Sequence, residues 1–119
     1  MEVKAITKNI RMSAQKMREV VRQIQGLPAQ HAANALAVVP RKGARIVAKT
    51  LKSAMANAED LKANRPDYKG INTDALIVKE AVAQTAQTYR RFTPKARGSA
   101  GPILKRNCHV QIILNDNNA

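Results

Sequence analysis

Basic side chains offer this chain its clearest chemistry. Between Glu80 and Asp116 there is no carboxylate, yet Arg90, Arg91, Lys95, Arg97, Lys105 and Arg106 all fall inside that gap. Guanidinium groups grip phosphate oxygens through paired hydrogen bonds, and ammonium groups act on them as point charges. The theme recurs upstream: Arg18 and Arg22 sit one helical turn apart, and Lys42, Arg45, Lys49 and Lys52 repeat at helical spacing behind Arg41. Lys8, Arg11, Ser13 and Lys16 extend the set toward the N-terminus, and His109 joins it as a surface or RNA-facing ring. Glu2 and Glu19 are the sole acids in the first 58 positions. Ordinary solvated faces intersperse both signs, so a one-signed set of this size points to phosphate contacts rather than simple solvation.

Catalytic and metal chemistry find little support. His31 and His109 are far apart and lack neighbouring carboxylates, so no metal site is expected. Cys108 shares a face with Val110 and reads as a buried thiol without a base beside it. Glu59 and Asp60 are adjacent, and adjacent helical positions point in different directions; they suit an exposed helix end. The segment Arg97-Gly98-Ser99-Ala100-Gly101 lacks the Lys-Ser/Thr ending of a phosphate-binding P-loop. The chain is therefore not expected to be an enzyme or to carry a cofactor.

The elements that must position these residues emerge from patterning. With 119 residues, 45% of them hydrophobic, and a formal net charge of +13, the chain suits one compact domain facing something acidic. A single cysteine excludes an internal disulfide and suits a cytosolic setting. No apolar run has the length of a membrane span, and the first residues lack a signal peptide's apolar stretch. Val3 to Ile10 reads as a short strand. Ser13 suits an N-cap for a helix with the stripe Met17, Val20, Val21 and Ile24, ending at Gly26. Pro28 opens a shorter helix with Ala32, Ala35, Leu36 and Val39 inward, closed by Pro40. A third runs from about Lys42 towards Asn64 on a face of small residues, before a loop at Asn64-Arg65-Pro66-Asp67. Leu76 to Val82 and Cys108 to Leu114 read as strands, the second placing Cys108, Val110, Ile112 and Leu114 on one face. Ala83 to Asn107 has almost no large apolar residues but holds Pro94, Gly98, Gly101 and Pro102, so it reads as a hairpin arm reaching about 30 Å at roughly 3.3 Å per residue.

These residues also resemble a known family. Arg11-Met12-Ser13-Ala14-Gln15-Lys16, Leu51-Lys52-Ser53-Ala54-Met55-Ala56-Asn57-Ala58-Glu59 and Val78-Lys79-Glu80-Ala81 look like the large-subunit ribosomal protein L twenty-two family. The strongest match is Tyr89-Arg90-Arg91-Phe92-Thr93-Pro94-Lys95-Ala96-Arg97-Gly98-Ser99-Ala100, continued by Ile103-Leu104-Lys105-Arg106 and His109-Val110. Ala14, Ala86-Gln87 and Gly101-Pro102 depart from the family pattern. The resemblance implies an α+β fold with three helices packed on a three-stranded antiparallel sheet and a long protruding β-hairpin. On that reading residues 1–119 form one domain. The globular part is about 1–82 and 108–116, and the arm is about 83–107, with Tyr89, Arg90, Arg91, Phe92, Thr93, Pro94, Lys95, Ala96, Arg97 and Gly98 at its tip.

The resemblance further implies a cytoplasmic structural component of the large ribosomal subunit, bound to large-subunit rRNA. It would support subunit assembly and line the nascent-polypeptide exit tunnel with its hairpin. Implied partners are that rRNA, neighbouring large-subunit proteins including protein four near the tunnel constriction, and the nascent polypeptide. Neither membrane insertion nor an obligate homo-oligomer is expected. From the residues alone, the arm is expected to gain its order on RNA, with phosphate contacts offsetting the ordering entropy. The rival from another class is a nucleoid-type DNA-binding protein, which also combines helices with a basic β-arm but acts as an intertwined dimer. A membrane-surface protein is a poor third, because the basic helix faces lack bulky apolar and Trp partners.

Overall fold

The computed structural model describes residues 2–116. Strand β1 (Glu2–Ile10) leads to helices α1 (Ala14–Ile24), α2 (Ala29–Val38) and α3 (Lys42–Asn64). Strands β2 (Ile77–Thr85), β3 (Tyr89–Pro94), β4 (Ala100–Lys105) and β5 (Cys108–Asn115) follow. The class is α+β, with antiparallel strands in two sheets. One has the order β1-β5-β2, and the other is the ribbon β3-β4.

Each helix follows from its apolar spacing. On α1 the side chains of Met17, Val20, Val21 and Ile24 are almost fully buried, and the Ser13 hydroxyl accepts from the Lys16 N–H at the N-cap. Gly26 then takes φ +81°, a left-handed turn that suits glycine, and its N–H donates to the Val78 carbonyl. Pro28 lies at the N-cap of α2. Along α3 the buried face is Ala44, Val47, Leu51, Ala54 and Ala58, so the helix lies close against β1. α1 lies against β2, and the helices together cover one face of the sheet.

β5 occupies the centre of that sheet, and its alternation sets the core. Cys108, Val110, Ile112 and Leu114 have no solvent exposure, while the residues between them are half-buried. Burying a Val, Ile or Leu side chain stabilises by roughly 1.5–3 kcal/mol, so this one strand anchors much of the fold. Thr50 is buried on α3 and uses its hydroxyl proton on the Ile46 carbonyl at 2.9 Å. The Thr7 hydroxyl therefore donates to Thr50 Oγ1 at 2.6 Å, joining β1 to α3.

Two departures from the sequence expectations have physical causes. β2 continues through Gln84 and Thr85, which pair with His109 and Cys108, so the core ladder extends past Val82 and past the expected start of the arm at Ala83. Strand length here is set by the pairing partner, not by apolar content. The chain reversal is also confined to a short turn at Ala96–Gly98, so Tyr89, Arg90, Arg91 and Phe92 are not tip residues. They lie along β3, paired with Lys105, Leu104, Ile103 and Pro102. The ribbon stretches the molecule to 67 Å along its long axis, against 28 and 18 Å across.

Candidate nucleic-acid interface

In the arm, pairing register decides which cations share a face. Directly opposed residues of an antiparallel pair project to the same side. Arg91 and Lys105 therefore lie on one face with Tyr89 and Ile103, and Arg90 lies on the other with Phe92, Pro102 and Leu104. The Arg91 guanidinium sits 5.7 Å from the Tyr89 ring centroid, an exposed cation–π contact that steadies the side chain. Phe92 is 74% exposed, the most open aromatic side chain in the structure's described part. The turn is built from consecutive left-handed residues, Arg97 at φ 60° and Gly98 at φ +76°, and is closed by the Lys95 N–H donating to the Ser99 carbonyl at 2.6 Å. The Lys95 side chain lies over Gly101, where a β-carbon would meet it at 2.5 Å. Small residues thus keep the ribbon thin at the place where its charge is concentrated.

Two arginines expected to bind RNA also hold the root of the arm. Arg11 Nη1 donates to the Arg106 carbonyl at 2.9 Å, and Arg18 Nε donates to the Ala83 carbonyl at 3.2 Å. The Ala86 N–H donates to the Asn107 carbonyl at 3.0 Å, tying the two strands where the ladders change. Each guanidinium keeps further donors for an anion. This positioning role could not be read from residue types, because its acceptors are backbone groups 65 or more positions away. His109 is likewise partly committed: its Nδ1 accepts from the Asn9 N–H at 3.0 Å, leaving the ring proton on Nε2. Asn9 takes φ 58° at the irregularity where the pairing of β1 with β5 shifts between Thr7 and Ile10.

The remaining predicted residues are distributed over exposed surface. Lys8 lies on β1, Lys16 and Arg22 on α1, and Lys42, Arg45, Lys49 and Lys52 along the outer face of α3. Arg41 pairs with Glu19 at 3.6 Å with both side chains more than half exposed, an arrangement worth little in water. Arg90, Arg91, Lys95, Arg97, Lys105 and Arg106 form no ion pair with a carboxylate among the described residues. Structure thus gathers the set into two regions, the arm and its root, with Lys42 at the root, and leaves Arg45, Lys49 and Lys52 as a third, separate strip along α3. At the root, a cleft of about 970 Å³ opens between α1, the start of α3, the end of β2 with the residues that follow it, and the end of β4.

Residues 5–115 match the family described as Ribosomal protein L22p/L17e. Large ribosomal subunit protein uL22 of Opitutus terrae is 46% identical over 119 residues, spanning all of this chain and 99% of that relative. The protein of the same name from Akkermansia muciniphila is 47% identical over 116 residues, 98% of this chain and 97% of the relative. That of Methylacidiphilum infernorum is 43% identical over 116 residues, again 98% of this chain and 96% of the relative.

Proposed function

The chain belongs to the ribosomal protein L22p/L17e family, and from that membership we propose that it binds large-subunit rRNA and lines the nascent-chain exit tunnel with its arm. It is a structural protein of the large ribosomal subunit rather than an enzyme, as its relatives' shared name indicates. In a bacterial cell that places it in the cytoplasm. The observation that carries the RNA reading is the arm itself: a two-stranded ribbon with five exposed cations, Arg106 directly after it, and no carboxylate along it to neutralise them. Such a ribbon repels itself in isolation and is stabilised wherever phosphates converge around it.

Mechanically, the protein works as an anchored spacer. The core supplies a rigid base, Arg11 and Arg18 fix the root of the arm, and the cations of β3, the turn and β4 neutralise phosphates along its length. Support of subunit assembly follows from the same geometry, because one ribbon touching several RNA segments holds them together. Within the tunnel the arm would neighbour large-subunit protein four and the nascent polypeptide. The test is binding of the whole chain to large-subunit rRNA and to duplex DNA of equal length, titrated with salt. About six phosphate contacts predict a loss of roughly a thousandfold in affinity between about 50 and 200 mM salt. A clear RNA preference at the higher salt is expected. Equal affinities that collapse together would overturn the reading in favour of a nucleoid-type DNA binder.

A further inference from the structure

We propose that the cleft at the root of the arm is a socket for one unpaired RNA nucleotide. The inference rests on the RNA-binding reading above and specifies what that surface holds. Five cations from four segments of the chain line the cleft: Arg11, Lys16, Arg18, Lys42 and Arg106, with no carboxylate among the lining residues. Like charges gathered into one concave site repel one another, and a resident anion relieves that repulsion. α1 also opens onto the cleft with no acidic residue in its first turn to offset its dipole.

Volume and lining identify more than a phosphate. A cleft of about 970 Å³ lies at the upper end of the range of roughly 300–1,000 Å³ for small-molecule sites, far larger than one phosphate group. Leu104, 43% exposed on β4, and the partly buried Met12 give it apolar wall. Thr85, Thr88 and Asn107 add hydroxyl and amide groups suited to a base edge or a ribose. Cations for the phosphate and an apolar wall for the base, with polar groups between, match a nucleotide. A paired base stays inside its duplex, which is too wide to enter; an unpaired one can be splayed out into a protein site. An occupant would touch α1, α3 and both strands of the root, so it would set the arm's direction as well as the protein's register on RNA.

The experiment uses the full chain and three RNA hairpins of matched sequence: fully paired, with one bulged uridine, and with an abasic residue at the bulge. The abasic bulge keeps the phosphate and the flexibility but removes the base. The socket predicts roughly tenfold tighter binding of the uridine bulge than of the abasic one, about 1.4 kcal/mol. Leu104→Ser should erase that preference while leaving binding of the paired hairpin intact, since Leu104 lies on the exposed ribbon and not in the core. Lys42→Gln should weaken both bulged RNAs relative to the paired one. Arg91→Ala, on β3 outside the cleft, should weaken all three alike. Equal affinity for uridine and abasic bulges, with steep salt dependence retained, would overturn the socket and leave the RNA-binding reading standing. Failure of all three RNAs to bind more tightly than duplex DNA would overturn both.

Discussion

Burial pushes the Cys108 thiol up from its ordinary value. The folded protein therefore keeps that proton where the unfolded chain would lose it, and this contribution to stability falls as pH rises above the normal cysteine range. A thiol reagent should label Cys108 slowly in native protein and rapidly in denaturant; fast native labelling would show that the centre of the sheet opens readily. Glu2 behaves oppositely. The hydrogen bond from Lys79, and then its charge, hold the Glu2 carboxyl below the usual carboxylate range. Its stabilisation is complete above the unfolded value and is lost as pH falls through the lowered folded one. Because the pair is exposed, the effect is small and screened by salt. Lys79→Met should remove that part of the acid sensitivity of thermal unfolding, and an unchanged pH profile would count against the pair. At this scale the sequence was informative about charge and uninformative about partners. Arg11 and Arg18 were legible as cations, but their backbone acceptors at the root of the arm depend on a fold that brings distant segments together.

Helices were the most legible elements, since a period of 3.6 residues must show in the sequence whenever one face is buried. Lys42–Asn64 follows directly from the run of small residues ending at the Asn64-Arg65-Pro66 break. β5 was equally readable from its strict alternation. The end of β2 and the ribbon β3-β4 were less so, because neither Gln84-Thr85 nor either face of the ribbon buries enough side chain to impose a period. The cleft could not be read at all; its walls come from the loop before α1, from α1, from α3, from the end of β2 and from the end of β4. Two substitutions test the packing. Ile112→Ala, at a fully buried position of the central strand, should cost about 2–5 kcal/mol in urea unfolding. Ala54→Leu, on the fully buried small-residue face of α3, should cost about 1–3 kcal/mol by overpacking. Near-neutral outcomes would mean that α3 can move away from the sheet.

For the molecule as a whole, the governing feature is the division between a packed core and a ribbon with almost nothing to bury. Gly101 is the one buried residue between Tyr89 and Lys105. In the free protein, limited trypsin digestion should cut at Arg90, Arg91, Lys95 and Arg97 well before the core is attacked, and bound rRNA should suppress those cuts. Equal resistance of arm and core without RNA would show that the ribbon is ordered on its own. Arg91→Ala should lower the slope of log affinity against log salt by about one, as expected when a single phosphate contact is lost. The order β1-β5-β2 has a separate consequence for biosynthesis. Glu2 pairs with Asn115, so the first strand made waits for the last, and β2 needs that same last strand as its neighbour. No part of the sheet can close until β5 has been translated. The helices and the basic arm must spend that interval without their platform, exposed to chaperones and to any RNA within reach.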